Sequence, residues 1–199
     1  MKIGKNYIDL KSFTKKSPKK ANDNFGVAFI CGVQGSGKTY FGTYLIYNFF
    51  KNYKIKTNIK SLKLPDNEII YFDYLDRITN DIEENVVYII DEISKKYTKE
   101  AKQDKYFYSW LQQSRKRKRY VFLITQEYLQ IPTWLRGIAS VVYTTHKLPL
   151  FPIFKTIKGY PVLDNETKEW GVQEVNYYLY KRTKQICKLY DTFEPVNVL

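Results

Sequence analysis

The residues best suited to chemistry stand at three places: Gly32-Val33-Gln34-Gly35-Ser36-Gly37-Lys38-Thr39, Asp91-Glu92 and Thr125-Gln126. Each follows a short apolar run, at 27–31, 86–90 and 120–124. The first is the G-x-x-x-x-G-K-[ST] phosphate-binding loop in its required setting, between a strand pattern and a helix pattern starting near Lys38. Its glycines let successive N–H groups converge on one phosphate, and the helix adds the positive end of its dipole. Lys38 can reach the β- and γ-phosphates, and Thr39 can place its hydroxyl on Mg²⁺. Nucleotide contacts are expected from Gly32, Gln34, Gly35, Ser36, Gly37, Lys38, Thr39 and Tyr40.

A buried strand that ends in two carboxylates needs solvent or a cation at its end. Asp91 is therefore read as the second Mg²⁺ residue, acting through water, and Glu92 as the base for an attacking water. The same logic applies to Gln126. Ligands of parallel α/β sheets sit at the carboxyl ends of the strands. If the three strands are neighbours, the Gln126 amide faces the γ-phosphate or the water beside it. The cofactors expected are ATP and Mg²⁺.

These groups need a frame. Apolar runs at 27–31, 55–59, 69–72, 86–90, 121–124 and 139–144 alternate with helical patterns at 38–51, 75–82 and 102–117. In the first helix Tyr40, Phe41, Tyr44, Leu45 and Phe49 share a face. In the third, Tyr106, Trp110 and Leu111 are expected inward. The alternation predicts an α/β fold, a parallel sheet flanked by helices. After Leu148-Pro149-Leu150-Phe151-Pro152 the pattern turns to two strands around 157–160 and 175–180, a small β-rich C-terminal extension. Three parts are expected: a basic arm at 1–24, a nucleotide-binding core at 25–147, and the extension at 148–199, completing the same domain.

The formal net charge of +13 favours a polyanionic partner, nucleic acid or an acidic membrane surface. Part of it lies in the arm and part in Arg115-Lys116-Arg117-Lys118-Arg119, more cations than a helix end uses to complement its dipole. Contact with DNA phosphates or closure of a subunit interface is expected of some of them. The 19 Tyr and 12 Phe are read as packing residues rather than a base-stacking surface. Cys31 and Cys187 form neither a disulfide framework nor a metal pattern and are expected as buried free thiols. No apolar run has the length of a membrane span, so a soluble chain is expected.

Taken together, several motifs resemble the FtsK–HerA superfamily of DNA-pumping ATPases. Within it, the chain is similar to the zonula occludens toxin-like proteins of filamentous phages and to viral genome-packaging ATPases. The residues concerned are Thr57-Asn58-Ile59, Asp91-Glu92, Ser114-Arg115-Lys116-Arg117 leading into Leu123-Ile124-Thr125-Gln126, then Ile131-Pro132-Thr133-Trp134-Leu135-Arg136, and Leu189-Tyr190-Asp191-Thr192. The resemblance implies a RecA-like P-loop NTPase fold and ATP hydrolysis at the subunit interfaces of a ring, commonly hexameric, with DNA in its channel. It also implies an arginine finger from the neighbouring subunit, with Arg115, Arg117, Arg119 and Arg136 as candidates. A capsid or membrane-associated virion protein is an expected partner, and the host cytoplasm or virion the expected location.

The leading expectation is a viral genome-packaging DNA translocase. The alternatives are a toxin-like phage assembly and export ATPase, a P-loop kinase, and a nucleotide-switched assembly factor. Asp91-Glu92 with Thr125-Gln126 argues against the kinase, which has no use for a water-activating base.

Overall fold

Five consecutive apolar residues can all be buried only in a strand covered on both faces, and Val86–Ile90 is buried at every position. The computed structural model describes residues 26–148 and 153–191. The arm at 1–24, residues 149–152 and Thr192 lie outside the described residues.

The elements in order are β1 (Gly26–Cys31), α1 (Lys38–Phe49), β2 (Lys54–Thr57), β3 (Ile69–Tyr71), α2 (Asp76–Thr79), β4 (Val86–Ile90), α3 (Lys105–Gln112), β5 (Tyr120–Thr125), α4 (Thr133–Arg136), β6 (Val141–Lys147), β7 (Ile153–Leu163), β8 (Trp170–Lys181) and α5 (Lys184–Cys187). They build one sheet in the order β3-β2-β4-β5-β1-β6-β7-β8. From β3 to β6 every pairing is parallel, while β7 and β8 join antiparallel at the far side. The fold is a mostly parallel α/β sheet, and the extension continues it without a break.

Alternate residues of each central strand feed two cores. Val27, Phe29, Tyr88 and Leu123 pack with Phe107, Trp110 and Leu111 of α3 and with Leu135 of α4. Ala28, Ile30, Ile89 and Phe122 pack with Tyr40, Phe41 and Ile46 of α1. Gly42 on α1 is what lets that helix lie close. A Cβ there would stand 2.7 Å from the Ile89 side chain.

The third helix differs from expectation. It spans Lys105–Gln112 instead of 102–117, capped at its start by Asp104, whose carboxylate accepts the Phe107 N–H at 3.0 Å. Counting from that cap, the inward positions are Phe107, Trp110 and Leu111. Tyr106 points outward and is 81% exposed, which corrects its expected place. The helix stops before the cationic run, which becomes a turn with Lys118 at φ 51°.

Candidate functional site

The strand order decides the site. β5 lies between β1 and β4, so the ends bearing the P-loop, Asp91-Glu92 and Thr125-Gln126 are adjacent at one edge of the sheet. The Gly32 N–H donates to the Gln126 carbonyl at 2.9 Å, tying the loop's first residue to the end of β5. Gln126 itself is exposed at this edge.

Thr39, in the first turn of α1, donates its hydroxyl to Asp91 Oδ2 at 2.8 Å. The other carboxylate oxygen accepts the Glu92 N–H at 2.8 Å. Burial pushes the Asp91 carboxyl above its ordinary range, and the Thr39 hydroxyl and Glu92 amide offset part of that. A hydroxyl and a buried carboxylate side by side are a fitting donor set for Mg²⁺, which takes one or two protein ligands and completes its shell with water and phosphate oxygens. Lys38 donates back to its own loop, at the Val33 carbonyl, over 3.2 Å. Burial draws its ammonium below the ordinary lysine value, while Asp91 and Glu92 draw it back. A phosphate arriving at the loop would give that ammonium an anionic hydrogen-bond partner in place of the neutral carbonyl.

Asn58, just past β2, grips Asp91 from the neighbouring strand. Its side-chain oxygen accepts the Asp91 N–H at 2.8 Å, and its amide donates to the Asp91 carbonyl at 3.0 Å. Both backbone groups at the end of β4 are thereby satisfied in a buried place. The next residue, Glu92, takes the left-handed conformation at φ 55°, a strained choice for a residue with a Cβ. Its carboxylate is paired with Lys95.

The loop is held from the other flank as well. Ser36 Oγ and Thr145 Oγ1 lie 2.8 Å apart, and Thr145 donates to the Cys31 carbonyl at 3.1 Å. Gly37 sits at φ 92° against the ring of Phe154. Any Cβ there would approach the ring to 2.6 Å, so glycine is required twice over. Val33, Gln34 and Gly35 form the exposed tip.

Tyr40 can meet a nucleotide through its backbone N–H, in the first turn of α1, but not through its side chain. Its ring is buried among Tyr44, Phe154 and Tyr180, and its phenol bonds to the backbone at 181–183. Two of the proposed arginine fingers are corrected by their burial. The Arg136 guanidinium is enclosed and donates to the Trp170 carbonyl at 2.7 Å and to Thr133 Oγ1 at 3.1 Å. Arg119 is equally enclosed. It donates to the Glu83 carbonyl at 2.8 Å and to the Asp81 carbonyl, and lies over the Trp110 ring at 5.2 Å. Arg117 is partly engaged through the Ile82 carbonyl at 2.9 Å. Arg115 stays exposed, at the sheet edge opposite the P-loop. The thiols also differ from each other: Cys31 is buried, while Cys187 is only half-buried.

Sequence reasoning missed Thr145 and Phe154, and named Asn58 without a role. Which strand lies beside β1 or β4 carries no local signal, so their tasks become visible only once the sheet order is known.

Fold and site together define a P-loop NTPase of the RecA-like kind, built to hydrolyse a nucleoside triphosphate. Residues 46–195 match the Zonular occludens toxin (Zot) family, and the chain belongs to that family. The match begins after the P-loop, so the nucleotide motif is a separate sign. Among solved structures, the N-terminal domain of zonular occludens toxin from Neisseria meningitidis is similar at 20% identity and a TM-score of 0.63, over 83% of this chain and 98% of that one. The RadB recombinase is similar at 12% identity and a TM-score of 0.52, over 79% and 87%. The genome packaging NTPase B204 from Sulfolobus turreted icosahedral virus 2, in complex with ATP-gammaS, overlaps at 13% identity and 0.48, over 74% and 96%. No curated protein matches the chain. At these identities the first two likenesses establish the fold alone.

Proposed function

We propose that the protein is an ATP-driven DNA translocase that moves a viral genome, with ATP and Mg²⁺ held at subunit interfaces of a homo-oligomeric ring. The observation that carries this is the meeting of Thr39, Asp91, Glu92 and Gln126 at one sheet edge. Thr39 and Asp91 hold the metal, Lys38 neutralises the β- and γ-phosphates, Glu92 accepts the proton of the attacking water, and Gln126 orients that water. In this arrangement Glu92 must leave Lys95 to act as base.

DNA is proposed to meet the opposite edge. The turn after α3 presents Lys116 and Lys118 there, both exposed, beside Arg115, which is the remaining exposed candidate for the finger on a neighbouring subunit. Arg115 and Lys158 line one cavity of about 310 Å³ on that side, together with Tyr120 and Tyr160. Phosphate contacts of this kind carry no sequence information, as a motor that must pass over any sequence requires. β5 joins the two edges directly, with Arg119 at one end and Gln126 at the other.

Genome packaging is the first reading. The family match favours a second, in which the same motor drives phage assembly and export beside a membrane-associated partner. The test is ATP turnover with and without single- and double-stranded DNA at two salt concentrations, beside Lys38→Ala and Glu92→Gln. Stimulation by duplex, abolished by salt and by both substitutions, supports packaging. A preference for single strands supports export. Turnover indifferent to DNA overturns the motor.

A further inference from the structure

The C-terminal hairpin has no chemistry legible in its sequence, yet it and the strand it pairs with, β6, hold the nucleotide loop and the start of α1 at three places. Thr145, near the end of β6, bonds Ser36 and the Cys31 carbonyl. Thr145 and Ser36 are both buried, so the loop's only buried hydroxyl spends its hydrogen bond on β6. Phe154, at the start of β7, lies on Gly37, the residue that caps α1. Tyr40, one residue past Thr39, receives the Thr183 N–H at 2.9 Å and donates to the Lys181 carbonyl at 3.2 Å, just where β8 ends. Phe154 packs tilted against Tyr40 at 5.2 Å, Tyr180 stacks on it at 6.0 Å, and Thr156 Oγ1 lies 2.9 Å from the Tyr180 hydroxyl. Ser36, Gly37 and Tyr40 bracket the two residues, Lys38 and Thr39, that handle phosphate and metal.

We infer that Thr145 and Phe154 are positioning residues of the phosphate loop, and that through them the β7–β8 hairpin is energetically coupled to nucleotide binding. The inference rests on the reading that the loop binds a nucleoside triphosphate. The physical ground is that the loop's N–H groups can point at one phosphate only while its backbone is held, and two of its anchors belong to β6 and β7. Coupling is reciprocal: whatever orders the hairpin tightens nucleotide, and nucleotide orders the hairpin. The outer side of β8 is open to such an influence, with Val175, Tyr177 and Leu179 all exposed.

The experiment titrates a fluorescent ATP analogue into the wild-type protein, Thr145→Val, Thr145→Ser and Phe154→Leu, with Lys38→Ala as the blank. Amide hydrogen exchange of residues 153–183 is followed with and without a non-hydrolysable ATP analogue. Thr145→Val keeps the shape but leaves the Ser36 hydroxyl without its partner, and binding should weaken by about five- to tenfold. Thr145→Ser should restore it, and Phe154→Leu should weaken it. In the wild type, nucleotide should slow exchange around Phe154 and at 178–183. A merely structural role would lower the melting temperature while leaving affinity and this local protection alone. Unchanged affinity in Thr145→Val and Phe154→Leu, or hairpin exchange indifferent to nucleotide, overturns the inference. Should Thr145→Val fail to fold, Phe154→Leu and the wild-type exchange decide. Failure of the wild type itself to bind would be a different result, because it removes the nucleotide site and the inference with it.

Discussion

At the scale of single residues, the site stores an unfavourable charge until its ligand arrives. Asp91 is buried with one hydroxyl and one amide for company, and burial raises its pKa. An asparagine could keep that geometry without the charge. Asp91→Asn should therefore raise the melting temperature of the metal-free protein, by about 2–4 °C for roughly 1 kcal/mol in a chain of this size. The same substitution should abolish magnesium-dependent turnover. Calorimetry in a chelator and a turnover assay in excess Mg²⁺ check the two halves, and a fall in melting temperature would show that the hydrogen bonds from Thr39 and the Glu92 amide outweigh the cost of burying the charge. Asn58 acts in the opposite sense. Asn58→Ala would strand the buried Asp91 N–H and carbonyl, at a cost of about 1–3 kcal/mol each when no partner replaces them. Denaturant unfolding should show that loss. Turnover should fall further than nucleotide affinity, because the residue held in place is the one before Glu92.

At the scale of elements, what was legible was what repeats along the chain, and what was hidden was what crosses it. The strands bearing the P-loop, Asp91 and Gln126 show as apolar runs, and α1 and the C-terminal hairpin show through their patterning. Tyr106 was misplaced because the expected helix began at 102, ahead of the Asp104 cap that sets the true start at Lys105 and with it the inward face. The cationic run was misread more deeply. From the sequence its five side chains are equivalent, but Arg119 folds inward under loop 81–83 and Arg117 leans on the same loop. That loop is fixed in turn by Lys54 and Lys56 of β2, which pair with Glu83 and Asp81. Burial alone would raise the Asp81 carboxyl, but hydrogen bonds from Lys56, the Glu83 amide and Tyr88 outweigh it and hold it below the ordinary range. A carboxyl depressed in the fold contributes stability that is present above its unfolded pKa and lost as pH falls through the folded one. Asp81→Asn should thus lower the melting temperature at pH 7, by about 2–4 °C. The gap from wild type should close as acid protonates Asp81 in the folded as well as the unfolded wild-type chain. A gap that stays constant down to strongly acid pH would mean the ion pair is not what anchors the loop.

At the scale of the whole molecule, the proposed function gives the two sheet edges different tasks, and the proposed ring must connect them between copies. Lys116 and Lys118 point outward from the edge away from the P-loop. If both meet duplex phosphates, removing them should flatten the plot of log affinity against log salt by about 0.9 per lost contact. Basal turnover should be unaffected. Arg115 is the remaining exposed member of the four arginines considered for a finger, and it stands far along β5 from its own subunit's P-loop edge. Its guanidinium can serve ATP hydrolysis only on a neighbour. An arginine finger can be worth about 10³–10⁵ in rate, so Arg115→Ala alone should be nearly inactive, as should Glu92→Gln alone. In a head-to-tail ring each nucleotide site is completed by the next subunit. When the two inactive variants are mixed, an Arg115→Ala subunit offers an intact Glu92, and an adjacent Glu92→Gln subunit offers an intact Arg115. A junction in which the first holds the nucleotide and the second donates the arginine is a whole site, while the reverse junction lacks both groups, so mixing should recover part of the wild-type turnover, which neither variant has alone. Recovery requires subunit exchange, which energy transfer between separately dye-labelled samples of the two variants tests independently of turnover. If exchange occurs and the two variants stay inactive together, Arg115 does not act across an interface, and its place beside Lys116 and Lys118 makes it a third DNA contact instead.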